Sequence, residues 1–69
     1  MILKISTKVN KNGNRYGLII NTETKRFYVG YSIIHGSPDI HATKKEIMDL
    51  IDYNLKYSGF SPAISLKEV

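Results

Sequence analysis

The dipeptide Asn12-Gly13, flanked by alternating apolar and polar residues, constrains the fold of this chain more than any other feature. A two-residue hairpin turn requires positive φ at both central positions, which Asn and Gly tolerate best. Because side chains alternate with period two along a strand, a turn centred there fixes which residues share a face. The cross-strand pairs on the apolar face are then Val9 with Tyr16, Thr7 with Leu18, and Ile5 with Ile20.

A third strand is predicted to begin near Arg26, where apolar and polar positions again alternate. The polar segment 22–25 forms the turn before it, and parity places Phe27 opposite Ile20 and Val29 opposite Leu18. The three strands therefore share one apolar inner face.

A helix is predicted to begin at Thr43, because Thr43 and Glu46 have the spacing of a capping box. Ile47, Leu50, Ile51 and Leu55 follow at helical spacing and form an apolar stripe, with Met48 at its flank. Gly59 then provides a left-handed C-terminal stop, with Phe60 placed to contact Leu55. Tyr53 and Tyr57 are predicted to pack at the edge of the core, the alternative being a contact patch for a protein partner.

These elements define an α+β fold, a three-stranded antiparallel meander with one C-terminal helix packed on one face (β-β-β-α). With 69 residues and no cysteine, the chain is expected to form one small domain without disulfides. That domain spans residues 1–60. Residues 61–69 are expected to be a weakly structured tail or to add a short fourth edge strand through Ile64 and Leu66.

The positive charge of the chain is concentrated in its first 26 residues. This segment contains six Lys or Arg residues and the single acid Glu23, whereas the remainder contains four Lys and five Asp or Glu residues. A regional excess of one sign is a reason to consider a polyanionic partner, because phosphates neutralise unpaired cations. The alternative is a solvated polar sheet face, on which lysines only prevent aggregation.

The outer face of the predicted sheet is the candidate binding surface for this partner. It combines basic side chains with a central tyrosine and with two facing glycines, where a strand offers a flat place for close approach. Its predicted members are Lys4, Lys8, Arg15, Gly17, Ile19, Arg26, Tyr28 and Gly30. Lys11 is assigned to the turn and left out of this surface.

From Leu3 to Tyr57, this arrangement resembles in topology the amino-terminal arm-binding domains of tyrosine integrases and the plant AP2-type domains. In those families the open sheet face enters the major groove of DNA. The resemblance implies a DNA-contacting role for Lys4, Lys8, Arg15, Arg26 and Tyr28.

Other classes of function find less support in the sequence. His35 and His41 flank Asp39, but the chain provides no third nitrogen or sulfur ligand, so no metal site is expected. The helix carboxylates are spaced to pair with lysines, no glycine-rich phosphate loop is present, and no enzyme activity, cofactor or small-molecule substrate is expected. The longest apolar runs have three residues, so no membrane span is predicted and the cytoplasm is the expected location.

The first prediction is therefore a small non-enzymatic nucleic-acid-binding accessory protein that uses the outer sheet face. The alternative is a protein-interaction module, either a homodimer or a small inhibitor or adaptor, that uses the same face or the sheet edges. The small size and the abundance of Ile, Lys, Asn and Tyr are typical of accessory proteins of phages or mobile elements in AT-rich bacteria.

Overall fold

The computed structural model describes all 69 residues as a five-stranded sheet with one main helix on one face. The strands lie in the order β4-β1-β2-β3-β5. Their bounds are β1 Ile2–Ser6, β2 Tyr16–Asn21, β3 Arg26–Tyr31, β4 Ile40–His41 and β5 Ser61–Pro62. The main helix α1, Lys44–Leu50, continues into a π-helical stretch, Ile51–Leu55, and a 3₁₀ turn, Leu66–Glu68, lies near the C-terminus.

The predicted α+β class and its central meander are confirmed. Strands β1, β2 and β3 pair antiparallel in sequence order. The β2–β3 register is the predicted one, with Leu18 opposite Val29 and Ile20 opposite Phe27. The polar turn at residues 22–25 thus preserves the parity that places apolar side chains on the inner face.

The first hairpin is present, but the predicted register between β1 and β2 is wrong by two residues. Ile5 pairs with Leu18, not with Ile20. One residue of this shift arises from a longer turn. The other arises from a bulge, in which residues 8 and 9 together oppose Arg15. Within β1 a shift of two residues keeps each side chain on its predicted face, so the apolar inner face survives the error. Val9, which lies beyond β1 at the bulge, is 55% exposed, so its predicted place on the apolar face is wrong.

The side chain of Asn10 accounts for the longer turn. Its Oδ1 accepts hydrogen bonds from the backbone N–H groups of Asn12 and Asn14 at 2.9 and 3.0 Å. Gly13 has φ +81° and closes a three-residue loop, a common alternative to the two-residue turn. Asn12-Gly13 therefore marks the turn correctly but does not fix its length.

The helix begins as predicted, because the capping box at Thr43 and Glu46 is formed in both directions. Ile47, Ile51 and Leu55 are buried against the sheet. Four residues of an α-helix advance about 40° beyond one full turn, so this spacing would drift away from the core. The wider π-helical turn at Ile51–Leu55 reduces that drift and keeps Leu55 on the buried side.

The helix also ends as predicted, in a Schellman motif. The N–H group of Phe60 donates to the carbonyl of Leu55 at 2.9 Å, and that of Gly59 donates to the carbonyl of Lys56 at 3.3 Å. Gly59 has the required positive φ, +87°. Phe60 packs against the core, which directs the following residues towards β3.

Two-residue strands lie at both edges of the sheet, and both pair parallel to their neighbours. β4, which lies between β3 and the helix in the chain, pairs with Ile5 and Ser6 of β1. β5 pairs with Arg26 and Phe27 of β3. The tail thus contributes an edge strand, but it does so through Ser61–Pro62, whereas Ile64 and Leu66 lie outside the strand.

The two faces of the sheet are covered by different kinds of structure. The inner face packs against the helix around Leu18, Ile20 and Phe27. On the outer face, the chain turns at Ser32, which has φ +57°, and lays the next two residues over the strands. Ile34 is buried there, so the sheet has apolar cover on both sides.

Three side chains depart from the expected pattern. Tyr53 and Tyr57 are 68% and 82% exposed, so the prediction that they pack at the core edge is wrong. They lie on the part of the helix surface that turns away from the sheet. Ser6 is fully buried on the outer face, opposite Gly17, and its hydroxyl has no hydrogen-bond partner.

Candidate nucleic-acid interface

The centre of the predicted binding face is covered by the chain itself. Gly17 and Ile19 are buried, and Gly30 is half-buried. A Cβ atom at Gly17 would lie 2.8 Å from Cδ1 of Ile34, and one at Gly30 would lie 3.3 Å from Cγ2 of Ile33. The glycines do mark a close approach, but the approaching groups belong to the same chain. The outer face of the sheet at these central positions is therefore not exposed to a partner.

The remaining members of that face do not form one basic surface. The guanidinium of Arg26 lies 3.2 Å from the carboxylate of Glu68, which neutralises it. Lys4 is half-buried and, together with His35, lines an apolar cavity of about 240 Å³. Tyr28 is also half-buried. The outer face is therefore less basic and less open than the sequence predicted.

All six acidic side chains are engaged within the chain. Three of them form ion pairs with Lys or Arg, one lies beside the N-terminal ammonium, and two accept backbone hydrogen bonds. These contacts are Asp49 to Lys45 (3.2 Å), Asp52 to Lys56 (3.5 Å), Glu68 to Arg26 (3.2 Å), Glu23 to the N-terminus (3.5 Å), Asp39 to the N–H of Lys4 (3.0 Å) and Glu46 to the N–H of Thr43 (2.9 Å).

Four of the cations without a carboxylate partner lie at one end of the sheet, which we call the basic end. It comprises Lys8, Lys11, Arg15 and Lys44. Lys8 follows β1, Lys11 lies in the hairpin turn, Arg15 precedes β2, and Lys44 opens the helix. The fold brings them together because the end of β1, the start of β2, the end of β3 and the start of α1 meet there.

Lys44 joins the helix to two tyrosine rings at the basic end. Its Nζ lies 5.1 Å from the ring centre of Tyr16 and 5.4 Å from that of Tyr31, and it donates a hydrogen bond of 2.9 Å to the Tyr31 hydroxyl. That hydrogen bond raises the pKa of Lys44 and so favours its charged ammonium form. The two rings meet edge to face at 5.2 Å, and Tyr31 remains 55% exposed.

Lys8 lies across a shallow cleft from the start of the helix. Thr43, Glu46 and His41 line the cleft with it. The backbone hydrogen bond from Thr43 lowers the pKa of Glu46, which keeps this carboxylate charged and bound to the helix cap. Glu46 is therefore an anion near the basic end, and its carboxylate is hydrogen-bonded to the backbone of the helix cap.

The structure gives no support to two other classes of site. No group of three His, Cys, Asp or Glu side chains is close enough together to hold a metal ion. His35 lines the outer cavity, whereas His41 lies in β4. No helix has the length and apolar character needed to cross a membrane.

Comparison of the chain with protein-family models, curated proteins and solved structures gave no match. The resemblance to the integrase and AP2-type domains is thus one of strand and helix order alone. The fold and the arrangement of charges define a small α+β sheet-and-helix domain with one basic end.

Sequence reasoning identified part of the basic end and missed the rest. Lys8 and Arg15 were predicted for the binding surface, but as part of the outer face of the sheet and not of one end of it. Lys11 was predicted to be a turn residue outside the surface, and Lys44 was not predicted for it. The sequence could not exclude Arg26 from the binding surface, because its ion-pair partner Glu68 is 42 residues away in the chain.

Proposed function

We propose that the protein is a non-enzymatic nucleic-acid-binding accessory protein, and that the basic end is its contact surface. The observation that supports this proposal is the distribution of charge. Every carboxylate of the chain is engaged elsewhere or in the helix cap, and four cations at one end are not neutralised. A cytoplasmic site of action accords with a chain that has no cysteine.

The chemistry of this end suits a phosphate backbone. Lysine and arginine side chains that contact phosphates release condensed counterions, and this release supplies most of the affinity of non-specific binding. The exposed ring of Tyr31 adds a surface on which an unpaired base can stack. Because the cations lie on loops and element ends, we expect contacts to the backbone and little discrimination between base sequences.

The first test is the salt dependence of binding to a labelled oligonucleotide, followed by fluorescence anisotropy between about 50 mM and about 200 mM salt. With up to four phosphates contacted on a duplex, the slope of log K against log salt should approach about −3 to −4. A comparison of single-stranded with double-stranded oligonucleotides of equal length distinguishes the stacking of unpaired bases on Tyr31 from contacts to the phosphate backbone. No binding at the lowest salt concentration would overturn the proposal.

A matched pair of double variants locates the surface. Lys8→Gln/Lys11→Gln removes two charges from the basic end, whereas Lys25→Gln/Lys67→Gln removes two unpaired charges from the opposite end. The first pair should weaken binding and reduce the slope by about 2, and the second should leave the slope nearly unchanged. Equal effects of the two pairs would show that net charge, not this surface, determines binding.

A further inference from the structure

The outer edge of β3 is open along most of its length. β5 pairs only with Arg26 and Phe27, so no strand lies beside the segment from Tyr28 to Tyr31. The N–H of Ser32 donates to the carbonyl of Arg15, just before β2, and the carbonyl of Phe27 accepts from the N–H of Ala63 in the tail. Hydrogen-bonding direction alternates along a strand, so the backbone groups of residues 29 and 31 point outwards from the sheet.

This open edge also lacks the features that normally prevent edge-to-edge pairing. Soluble proteins usually protect an edge with lysine, proline, a bulge or a covering segment. The opposite edge is protected, because β4 pairs with β1 and the carboxylate of Asp39 accepts the N–H of Lys4 at 3.0 Å. From Phe27 to Ile34, by contrast, the chain has no charged residue and no proline.

We propose that this edge binds a second copy of the chain, by antiparallel pairing of the two β3 strands about a twofold axis at Gly30. In this register Val29 of one copy and Tyr31 of the other exchange backbone hydrogen bonds, and the pair occurs twice. The two Gly30 residues face each other at the axis as a non-hydrogen-bonded pair, with Cα atoms about 4.5 Å apart. Valine opposite tyrosine is a favourable cross-strand combination.

The ends of the open window favour a second copy over an unrelated peptide. The window extends from Tyr28 to Ser32 and is centred on Gly30. At one end β5 occupies Phe27, and at the other the chain turns at Ser32, whose φ is +57°, and leaves the sheet before Ile33. In the twofold register, Phe27 of one copy lies opposite Ile33 of the other copy, which has already left the sheet. The β5 strand beside Phe27 therefore does not obstruct the second copy.

Charge and area are consistent with a weak dimer. No charged residue lies in the paired window, so no like charges oppose each other across the axis. Tyr31 is 55% exposed and Met48, one turn beyond Lys44 on the same side of the helix, is 46% exposed, so both add apolar surface beside the paired strands. A stable interface buries about 600–1,000 Å² per copy. Each copy exposes 4671 Å² in total, and the paired window covers only a small part of that surface. We therefore expect a dissociation constant of the dimer in the micromolar range or weaker.

Cysteine cross-linking tests the dimer and its register together, because the native chain contains no cysteine. Gly30→Cys places two thiols at the axis, where the Cα separation suits a disulfide. A Cβ at this position has Ile33 Cγ2 at 3.3 Å as its nearest contact, so the variant should fold. Val29→Cys is the matched control, since two copies of residue 29 lie diagonally, at roughly 8 Å, beyond the reach of a disulfide.

We expect mild oxidation to convert Gly30→Cys into a covalent dimer much faster than Val29→Cys. Sedimentation of the native chain over a concentration series should show a reversible dimer that raised salt does not weaken. A native chain that stays monomeric at millimolar concentration would overturn the proposal, as would equal cross-linking of the two variants. Lys8→Gln/Lys11→Gln should dimerise normally, so failure of the nucleic-acid proposal and failure of the dimer are distinguished.

Discussion

The two faces of the sheet achieve burial in different ways. The inner face meets a helix whose apolar residues recur every four positions, at Ile47, Ile51 and Leu55. The outer face meets a loop, and the contact depends on two glycines that leave room for Ile33 and Ile34. A repeated apolar pattern thus indicates a helix-covered face, whereas glycines in adjacent strands indicate a place where backbone and loop approach closely.

A matched pair of isoleucine truncations should give the largest effects and compare the two faces directly. Ile47 lies on the helix and is fully buried, and Ile34 lies in the loop on the outer face and is 5% exposed. Truncation to alanine removes the same atoms at both sites, but the thin loop layer can collapse into the space more easily than the helix core. We expect Ile47→Ala to lower the free energy of unfolding by about 4 kcal/mol and Ile34→Ala by about 2 kcal/mol. Urea denaturation measures both, and equal losses would contradict the distinction.

The glycine contact on the outer face should give an intermediate effect. Gly17→Ala introduces a Cβ 2.8 Å from Ile34 Cδ1, which the buried side chain must accommodate, so we expect a loss of about 1–3 kcal/mol. Gly30→Ala, with its nearest contact at 3.3 Å, should cost less. Thermal and urea unfolding compare the two variants.

A double variant identifies the cause of the Gly17→Ala loss. If the clash with Ile34 is responsible, Gly17→Ala/Ile34→Ala should lose less stability than the sum of the single variants, because truncation of Ile34 makes room for the new methyl group. Strict additivity would show that the loop does not press on β2.

The smallest expected effect has the opposite sign. The hydroxyl of Ser6 is buried on the outer face without a partner, which costs stability that an alanine of similar shape would not lose. Ser6→Ala should raise the free energy of unfolding by about 1 kcal/mol. Ser32→Ala is the control, because the Ser32 hydroxyl donates to Asn14 at 2.8 Å, and its loss should not stabilise the protein.

The parts of the fold that follow from the sequence are those with local signals. The capping box at Thr43, the stop at Gly59 and the β2–β3 register each depend on residues close together in the chain. The register of the first hairpin depended on Asn10, whose side chain lengthens the turn. The edge strands β4 and β5 could not be predicted, because two residues contain no periodicity and their partners are distant in sequence.

The candidate site was less predictable than the fold for the same reason. Strand parity placed Lys4 and Arg26 on the outer face correctly, but it could not reveal that Glu68 neutralises Arg26. Gly17 and Gly30 correctly marked a close approach, yet the two residues after β3 filled it. The basic end required knowledge of where the hairpin and the helix meet, which depends on the whole topology.

The two-residue edge strands have a consequence for how the molecule opens. Each of the edge strands β4 and β5 is held to the sheet by one short parallel pairing and a few contacts of neighbouring side chains, whereas β2 is bonded on both sides along its whole length. Amide hydrogens of β2 are therefore expected to exchange with solvent only through global unfolding. Those of β4 and β5 should exchange through partial openings that leave the meander and the helix intact.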